Sequence, residues 1–182
     1  MSLLLLVKYQ RELLMNKQKT YFTREGLARA NNEIVALQKE IKECNVKIGK
    51  TVELDNDLRE NPEFMALRTK AEYELPNKIQ ELSQLLEHKE VIEDMPHIRN
   101  NLCSYVTVGH QVTLIDEDDN TRMLTILGYG DSNPKENIVS YLTPIAQILL
   151  EHEVGEEVSL TSPHGNVLYV IDEIIVSPLL NK

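Results

Sequence analysis

The chain contains no tryptophan and only two phenylalanines, Phe22 and Phe64, among its 182 residues. Its core must therefore be built from leucine, isoleucine and valine, with seven tyrosines as the other large rings. The same scarcity argues against a prolyl-isomerase type of pocket, which is lined with aromatics. Residues 96–182 hold no Phe and only Tyr105, Tyr129, Tyr141 and Tyr169. Cysteine is nearly absent: Cys44 and Cys103 lie far apart without a pattern, and both read as free thiols in a reducing compartment. Long apolar runs are missing too. Leu3-Leu4-Leu5-Leu6-Val7 has no basic stretch before it and is too short for a secretory signal or a bilayer span. The expectation is a cytoplasmic protein with no membrane partner. The five histidines (88, 97, 110, 152, 164) show no metal-ligand spacing, and neither a glycine-rich phosphate loop nor a nucleophile–His–acid arrangement can be read.

Positive charge is scarce in one half only. Residues 1–95 carry 15 Lys+Arg against 17 Asp+Glu, whereas residues 96–182 carry 4 against 12. Phosphate contact needs clustered cations, so the second half is a poor candidate for independent nucleic-acid binding. The first half intersperses both signs, as solvated helices do.

Thr23 is a hydroxyl N-cap at the opening of the first helix, with Phe22 available as a hydrophobic staple. From there Leu27, Ile34, Leu37, Ile41, Cys44 and Ile48 recur at spacings of 7, 3, 4, 3 and 4, the seam of a coiled coil. A second stripe, Phe64, Leu67, Ala71, Leu75, Ile79, Leu82 and Leu86, contains an extra step of four, a stutter that unwinds a supercoil. Pro76 lies within it and predicts a kink. Two matching seams joined by a short acidic turn predict an antiparallel α-helical hairpin over 20–95, with its tip at 53–63. Residues 1–19 form an N-terminal extension. Its first fifteen read either as an over-long start, with Met15 the natural beginning, or as a short amphipathic helix docking on the body.

Met95-Pro96 and Asn100-Asn101 break the helical period, and 96–101 is expected to be a linker. From 102 to 182 the pattern predicts a small α+β domain with an antiparallel sheet. Strands are expected at 109–115 and 121–129 around an acidic turn, near 138–142, and at 158–161 and 167–176. Pro144 opens a short helix.

The tip, Asn56-Asp57-Leu58-Arg59-Glu60-Asn61-Pro62-Glu63-Phe64, places two carboxylates three positions apart. Carboxylates are the hard oxygen ligands that Mg²⁺ prefers in phosphodiester hydrolysis. Asp57-x-x-Glu60 is equally a capping-box arrangement. Asn61-Pro62-Glu63 is a competing helix start, and if Asn61 caps, Asp57 and Glu60 are released from that duty. Glu53, Asp55 and Glu63 add charge nearby, either as solvated acids or as modifiers of metal retention. Lys39, Lys42, Lys47 and Lys50 form either a solvated face or a basic surface.

These residues resemble the Gre family, bacterial transcript-cleavage factors of RNA polymerase. The tip resembles the family signature G-D-L-[KRS]-E-N-A-E-Y. Thr23-Arg24-Glu25-Gly26 resembles the family's opening helix. Asn137-Ile138-Val139-Ser140, Thr143-Pro144-Ile145-Ala146 and Ser162-Pro163-His164-Gly165 resemble its globular-domain pattern. The resemblance spans 20–177. It implies a coiled-coil hairpin followed by an FKBP-like domain that docks at the rim of the polymerase secondary channel. It implies further that Asp57 and Glu60 are donated to the polymerase active site, where they help hold a Mg²⁺ shared with the polymerase. Backtracked nascent RNA is then cleaved near its 3′ end, and the isolated chain has no enzymatic activity of its own. Asn56, Arg59, Asn61 and Phe64 would support the tip. Here the chain departs from the pattern: Asn56 replaces glycine, Pro62 a small residue and Phe64 a tyrosine. The alternative that the added acids Glu53, Asp55 and Glu63 keep open is a regulator that occupies the channel without stimulating cleavage.

Overall fold

The computed structural model describes residues 19–54, 61–162 and 165–181. They divide into a helical unit, Ala28–His88, and a sheet unit in which Thr20–Leu27 joins the chain from Lys89 onward.

In the helical unit the predicted stripe is the buried one. Helix α1 (Arg24–Leu54, 31 residues) spans ~46 Å at about 1.5 Å per residue. Along it Leu37 and Cys44 are buried and Ile34, Ile41 and Ile48 half-buried, while Val35, Lys39, Lys42 and Val46 are exposed. The return arm is α2 (Pro62–Thr69), a π-helical turn at Lys70–Glu74, and α3 (Leu75–Glu87). Ala71, Leu75 and Leu82 are buried on it. A Glu40–Lys70 ion pair at 2.6 Å joins the two arms. Its hydrogen bond lowers the Glu40 carboxyl and raises the Lys70 ammonium from their ordinary pKa values.

The irregularity expected at Pro76 takes the form of that π turn, one turn earlier. Leu67, Ala71, Leu75 and Ile79 recur at steps of four, a period wider than the α-helical 3.6, and Pro76 brings no N–H to bond. The turn widens instead, and Leu75 N–H reaches back five residues to the Lys70 carbonyl.

The sheet unit departs from expectation at its boundaries. Strand β1 (Thr20–Phe22) pairs in parallel with β2 (Lys89–Val91), so both ends of the predicted 20–95 hairpin belong to this unit. Nor is 96–101 a linker: Pro96–Arg99 is a one-turn helix, α4, and Ile98 lies in the hydrophobic core with Ile92. Pro96 opens that turn rather than ending order, because proline suits the first helical position.

The main sheet has the order β5-β4-β3-β7-β6, from β3 (His110–Asp116), β4 (Thr121–Leu127), β5 (Ile138–Ser140), β6 (Glu157–Ser162) and β7 (Gly165–Val176). Both predicted hairpins are present, but the sheet is mixed rather than antiparallel, since β5 runs parallel to β4. The loop after β4 is drawn out to β1, where Tyr129 N–H bonds the Tyr21 carbonyl at 2.7 Å. It therefore returns before pairing, so Ile138 enters level with Thr125. A register shift on β7 lets Ile171 and Ile174, three residues apart, both face inward. They meet Val112, Leu114, Leu124, Ile126, Val158 and Leu160 from the neighbouring strands. Helix α5 (Pro144–Leu149), capped by Thr143, adds Ala146 and Leu149.

At Gly128, just after β4, the chain passes close against β1. A Cβ there would stand 2.6 Å from the Tyr21 carbonyl oxygen and 2.8 Å from Phe22 Cα. Backbone cannot yield as a side chain can. Gly128→Ala is expected to destabilise the sheet unit by about 1–3 kcal/mol, read as a lower urea midpoint at unchanged slope. Among the described residues no helix is long and apolar enough to cross a membrane.

Candidate functional site

The acidic pair lies in the chain between α1 and α2. Asn56, Asp57, Arg59 and Glu60 fall outside the described residues, whereas the flank that follows them is described. Asn61 is the N-cap of α2: its φ of −86° and ψ of 105° are extended, and its Oδ1 accepts the Phe64 N–H at 3.1 Å. Its carbonyl accepts the Met65 N–H at 3.2 Å. Pro62 occupies the first helical turn, where no N–H is missed, and Glu63 places a carboxylate at the positive end of the helix dipole. The capping duty that Asp57-x-x-Glu60 could have served at the start of this arm is thus met by Asn61. Phe64 is half-buried on the seam, so its ring packs where the family signature has a tyrosine. Asn61→Ala should cost about 1 kcal/mol of helical-unit stability, visible as earlier thermal loss of far-UV helical signal.

The start of α1 is organised by residues that sequence reasoning missed. Thr23 is the N-cap as expected, with its Oγ1 accepting the Gly26 N–H at 2.9 Å and its carbonyl accepting the Leu27 N–H at 2.8 Å. A capping box would place Glu or Gln at the third helical position, which here is Gly26. The carboxylate comes instead from Asp131, 108 residues away, which accepts the Thr23 hydroxyl at 3.1–3.2 Å. A Cβ on Gly26 would stand 2.8 Å from Asp131 Oδ1, so the glycine makes room for that distant acid. Glu93 accepts the Arg24 N–H at 2.9 Å. Asp94 bridges Arg24 at 2.9 Å and Arg99 at 2.6 Å, and the two guanidiniums hold its carboxyl below the usual carboxylate range, Arg99 foremost. The signal that was available was the pair of glycines, Gly26 and Gly128, each facing a close approach.

Of the proposed basic surface, Lys39, Lys42, Lys47 and Lys50 are all exposed, and Lys39 lies 3.8 Å from Glu43. Among the described residues no group of three or more His, Cys, Asp or Glu is arranged to hold a metal. His110 is the one titratable group with a large shift among them. It is fully buried, and its Nδ1 accepts the Thr107 N–H at 3.2 Å. Its Nε2 has no hydrogen-bond partner, and the edge of His97 packs against the ring at 5.5 Å. Burial, reinforced by His97, lowers its pKa to about 4, against the opposing pull of the Tyr105 and Leu102 carbonyls.

Comparison with known proteins bears on what this arrangement belongs to. The chain is 34% identical over 158 residues to the transcription elongation factor GreA of Nautilia profundicola, covering 86% of this chain and 94% of that one. This chain belongs to the GreA/GreB family. A family model described as transcription elongation factor GreA/GreB, C-terminal, matches residues 101–175. The GreA of Nitratiruptor is 31% identical over 166 residues, covering 90% of this chain and 97% of that one. Among solved structures, Gfh1 of Thermus thermophilus covers 86% of this chain and 98% of its own, at 18% identity and a TM-score of 0.38. That overlap is too low to carry an argument. The geometry gives the Thr23–Gly26 segment its physical sense: a threonine to cap, and a glycine so that Asp131 can reach the cap.

Proposed function

We propose that this chain is a transcription elongation factor that binds RNA polymerase, inserts its helical hairpin into the secondary channel and stimulates Mg²⁺-dependent cleavage of backtracked RNA. The family and the names of its relatives support the elongation role. The observation that carries the finer reading is the cap at Asn61. The return helix is begun by Asn61 and Pro62, so its start calls on neither Asp57 nor Glu60, which supports assigning both carboxylates to a second macromolecule.

Two carboxylates complete no Mg²⁺ site by themselves, because the ion takes six oxygen ligands at near-octahedral geometry. Asp57 and Glu60 suit the role of half a coordination sphere, with the polymerase supplying the rest. Mg²⁺ held there supplies electrostatic stabilisation of charge on the phosphodiester. The carboxylates orient and hold, and Arg59 sits between them in sequence to meet RNA phosphate or the polymerase. The chain therefore acts as a donor of residues rather than as an enzyme, in the cytoplasm where the polymerase works.

The test is a transcription complex of the cognate polymerase, backtracked by nucleotide starvation and supplied with Mg²⁺ and this protein. Shortening of the labelled RNA from its 3′ end is expected. Binding with inhibited nucleotide addition and no shortening would instead identify a channel-occupying regulator.

A further inference from the structure

The first turn of α1 is tied to the sheet unit more firmly than a helix cap requires. A glutamate at the third helical position would close a capping box from within the helix. This chain has Gly26 there, a poor helix former, and takes its carboxylate from Asp131 instead. Helix stability alone is better served by the local box, so the distant acid answers a different need. What it adds is a tie between the base of α1 and the loop after β4.

That loop is itself held at both ends. Tyr129 N–H bonds the Tyr21 carbonyl at 2.7 Å, Asp131 N–H bonds the Gly128 carbonyl at 3.4 Å, and Ser132 Oγ accepts the Ser140 N–H at 3.0 Å. A second tie reaches the same turn of α1 from another segment. Glu93, in the 3₁₀ turn that follows β2, accepts the Arg24 N–H at 2.9 Å. Thr23 is only 7% exposed, so its bond to Asp131 is largely shielded from competing water. All of these groups belong to the sheet unit. One tie would let the helix pivot, whereas two from separate segments fix the direction of its first turn.

Length makes that direction matter. Helix α1 is continuous for 31 residues from this turn to Leu54, and Asp57 comes three residues later. A tilt of ~2° at the base moves the far end of a ~46 Å rod by ~1.6 Å. Reacting groups have to be held within about 0.5 Å, and a misplacement of about 1 Å caused far from the chemistry can cost about 100-fold.

We infer that Thr23, Gly26 and Asp131 form a clamp that aims α1, making Asp131 a positioning residue for RNA cleavage in the polymerase complex. The inference rests on the proposed cleavage role and adds the residues that place Asp57 and Glu60. Asp131 acts through Thr23 and the helix rather than on the RNA.

The experiment follows 3′-end shortening in backtracked complexes of the cognate polymerase over a range of concentrations of the full-length protein. Each variant yields a saturated rate and a half-saturating concentration, at a temperature where circular dichroism shows it folded. Gly26→Ala is the sharpest variant, because alanine favours the helix while its Cβ would stand 2.8 Å from Asp131 Oδ1. Gly26→Ala and Asp131→Ala are each expected to lower the saturated rate about tenfold or more, with the half-saturating concentration within about twofold of wild type. Their double variant should be no slower than the slower single one, since both break one contact. Thr23→Val should behave like Asp131→Ala, and Thr23→Ser, which keeps the hydroxyl, should recover the wild-type rate. Wild-type saturated rates in both Gly26→Ala and Asp131→Ala overturn the clamp and leave the cleavage role standing. So do losses that multiply in the double variant, or a rise in half-saturating concentration alone. No shortening by the wild type overturns the cleavage role, and the clamp's part in it falls with that role. If Asp131→Ala does not fold, Gly26→Ala and the pair Thr23→Val and Thr23→Ser decide.

Discussion

Asp57→Asn is expected to lower RNA cleavage by the polymerase complex more than about 100-fold, since even the outer-shell partners of a functional metal are worth 10–100-fold. Glu60→Gln should do the same, and the double variant should be little worse than either single one, because residues that act as a unit are not additive. Each substitution keeps the size of the side chain and removes the anionic oxygen donor. Polymerase affinity should therefore hold within about twofold, since a charge change at one contact among many has a small effect on the whole. Raising Mg²⁺ should recover part of the loss in the single variants and none in the double. The measurement is the single-turnover rate of 3′-end shortening, with competition binding run on the same preparations. Cleavage at the wild-type rate by the double variant would sink the donated-site reading.

The second large effect concerns acid and the sheet unit. His110 has a folded-state pKa of about 4 against an ordinary 6.5, with burial as the first cause. A group whose folded pKa is depressed contributes full stability above its unfolded pKa and loses it as pH falls toward the folded one. The window is therefore pH 6.5 down to 4, over which folding should lose roughly 3 kcal/mol. The sheet unit should melt at a clearly lower temperature at pH 4.5 than at pH 7.5. The carboxylates held low by their partners, Asp94, Asp116 and Glu40, act in a window below their ordinary values near 4, so the two effects separate along the pH axis. His110→Gln retains an acceptor for the Thr107 N–H and cannot titrate. It should be less stable at neutral pH, and the slope between pH 6.5 and 4.5 should vanish. A slope identical to the wild type would assign the acid sensitivity elsewhere.

Periodicity explains why so much of the helical unit was readable. Side chains at spacings of three and four share a face whatever the rest of the chain does, so the stripe from Leu27 to Ile48 names its own buried side. The same holds for the alternating residues of β3 and the turn at Asp116–Asn120. At the tip the Asn61-Pro62 helix start was legible, because a cap is a local fact. The boundaries were not. Ile92 and Ile98 look like stray apolar residues around Met95-Pro96, and only the core that receives them turns a supposed linker into part of a domain.

The sequence alone determined the two-part design, the seam, the two strand hairpins and the acidic pair, because these depend on neighbours within a few residues. Tertiary structure decided what depends on residues far apart. It brought Asp131 to the cap of α1 across 108 positions, made the sheet mixed by sending the loop after β4 to Tyr21 and back, and took the proton affinity of His110 from its burial. Local patterns carry information about which face a residue occupies. The identity of the partner on that face is set by chain closure and packing, which no short window of sequence contains.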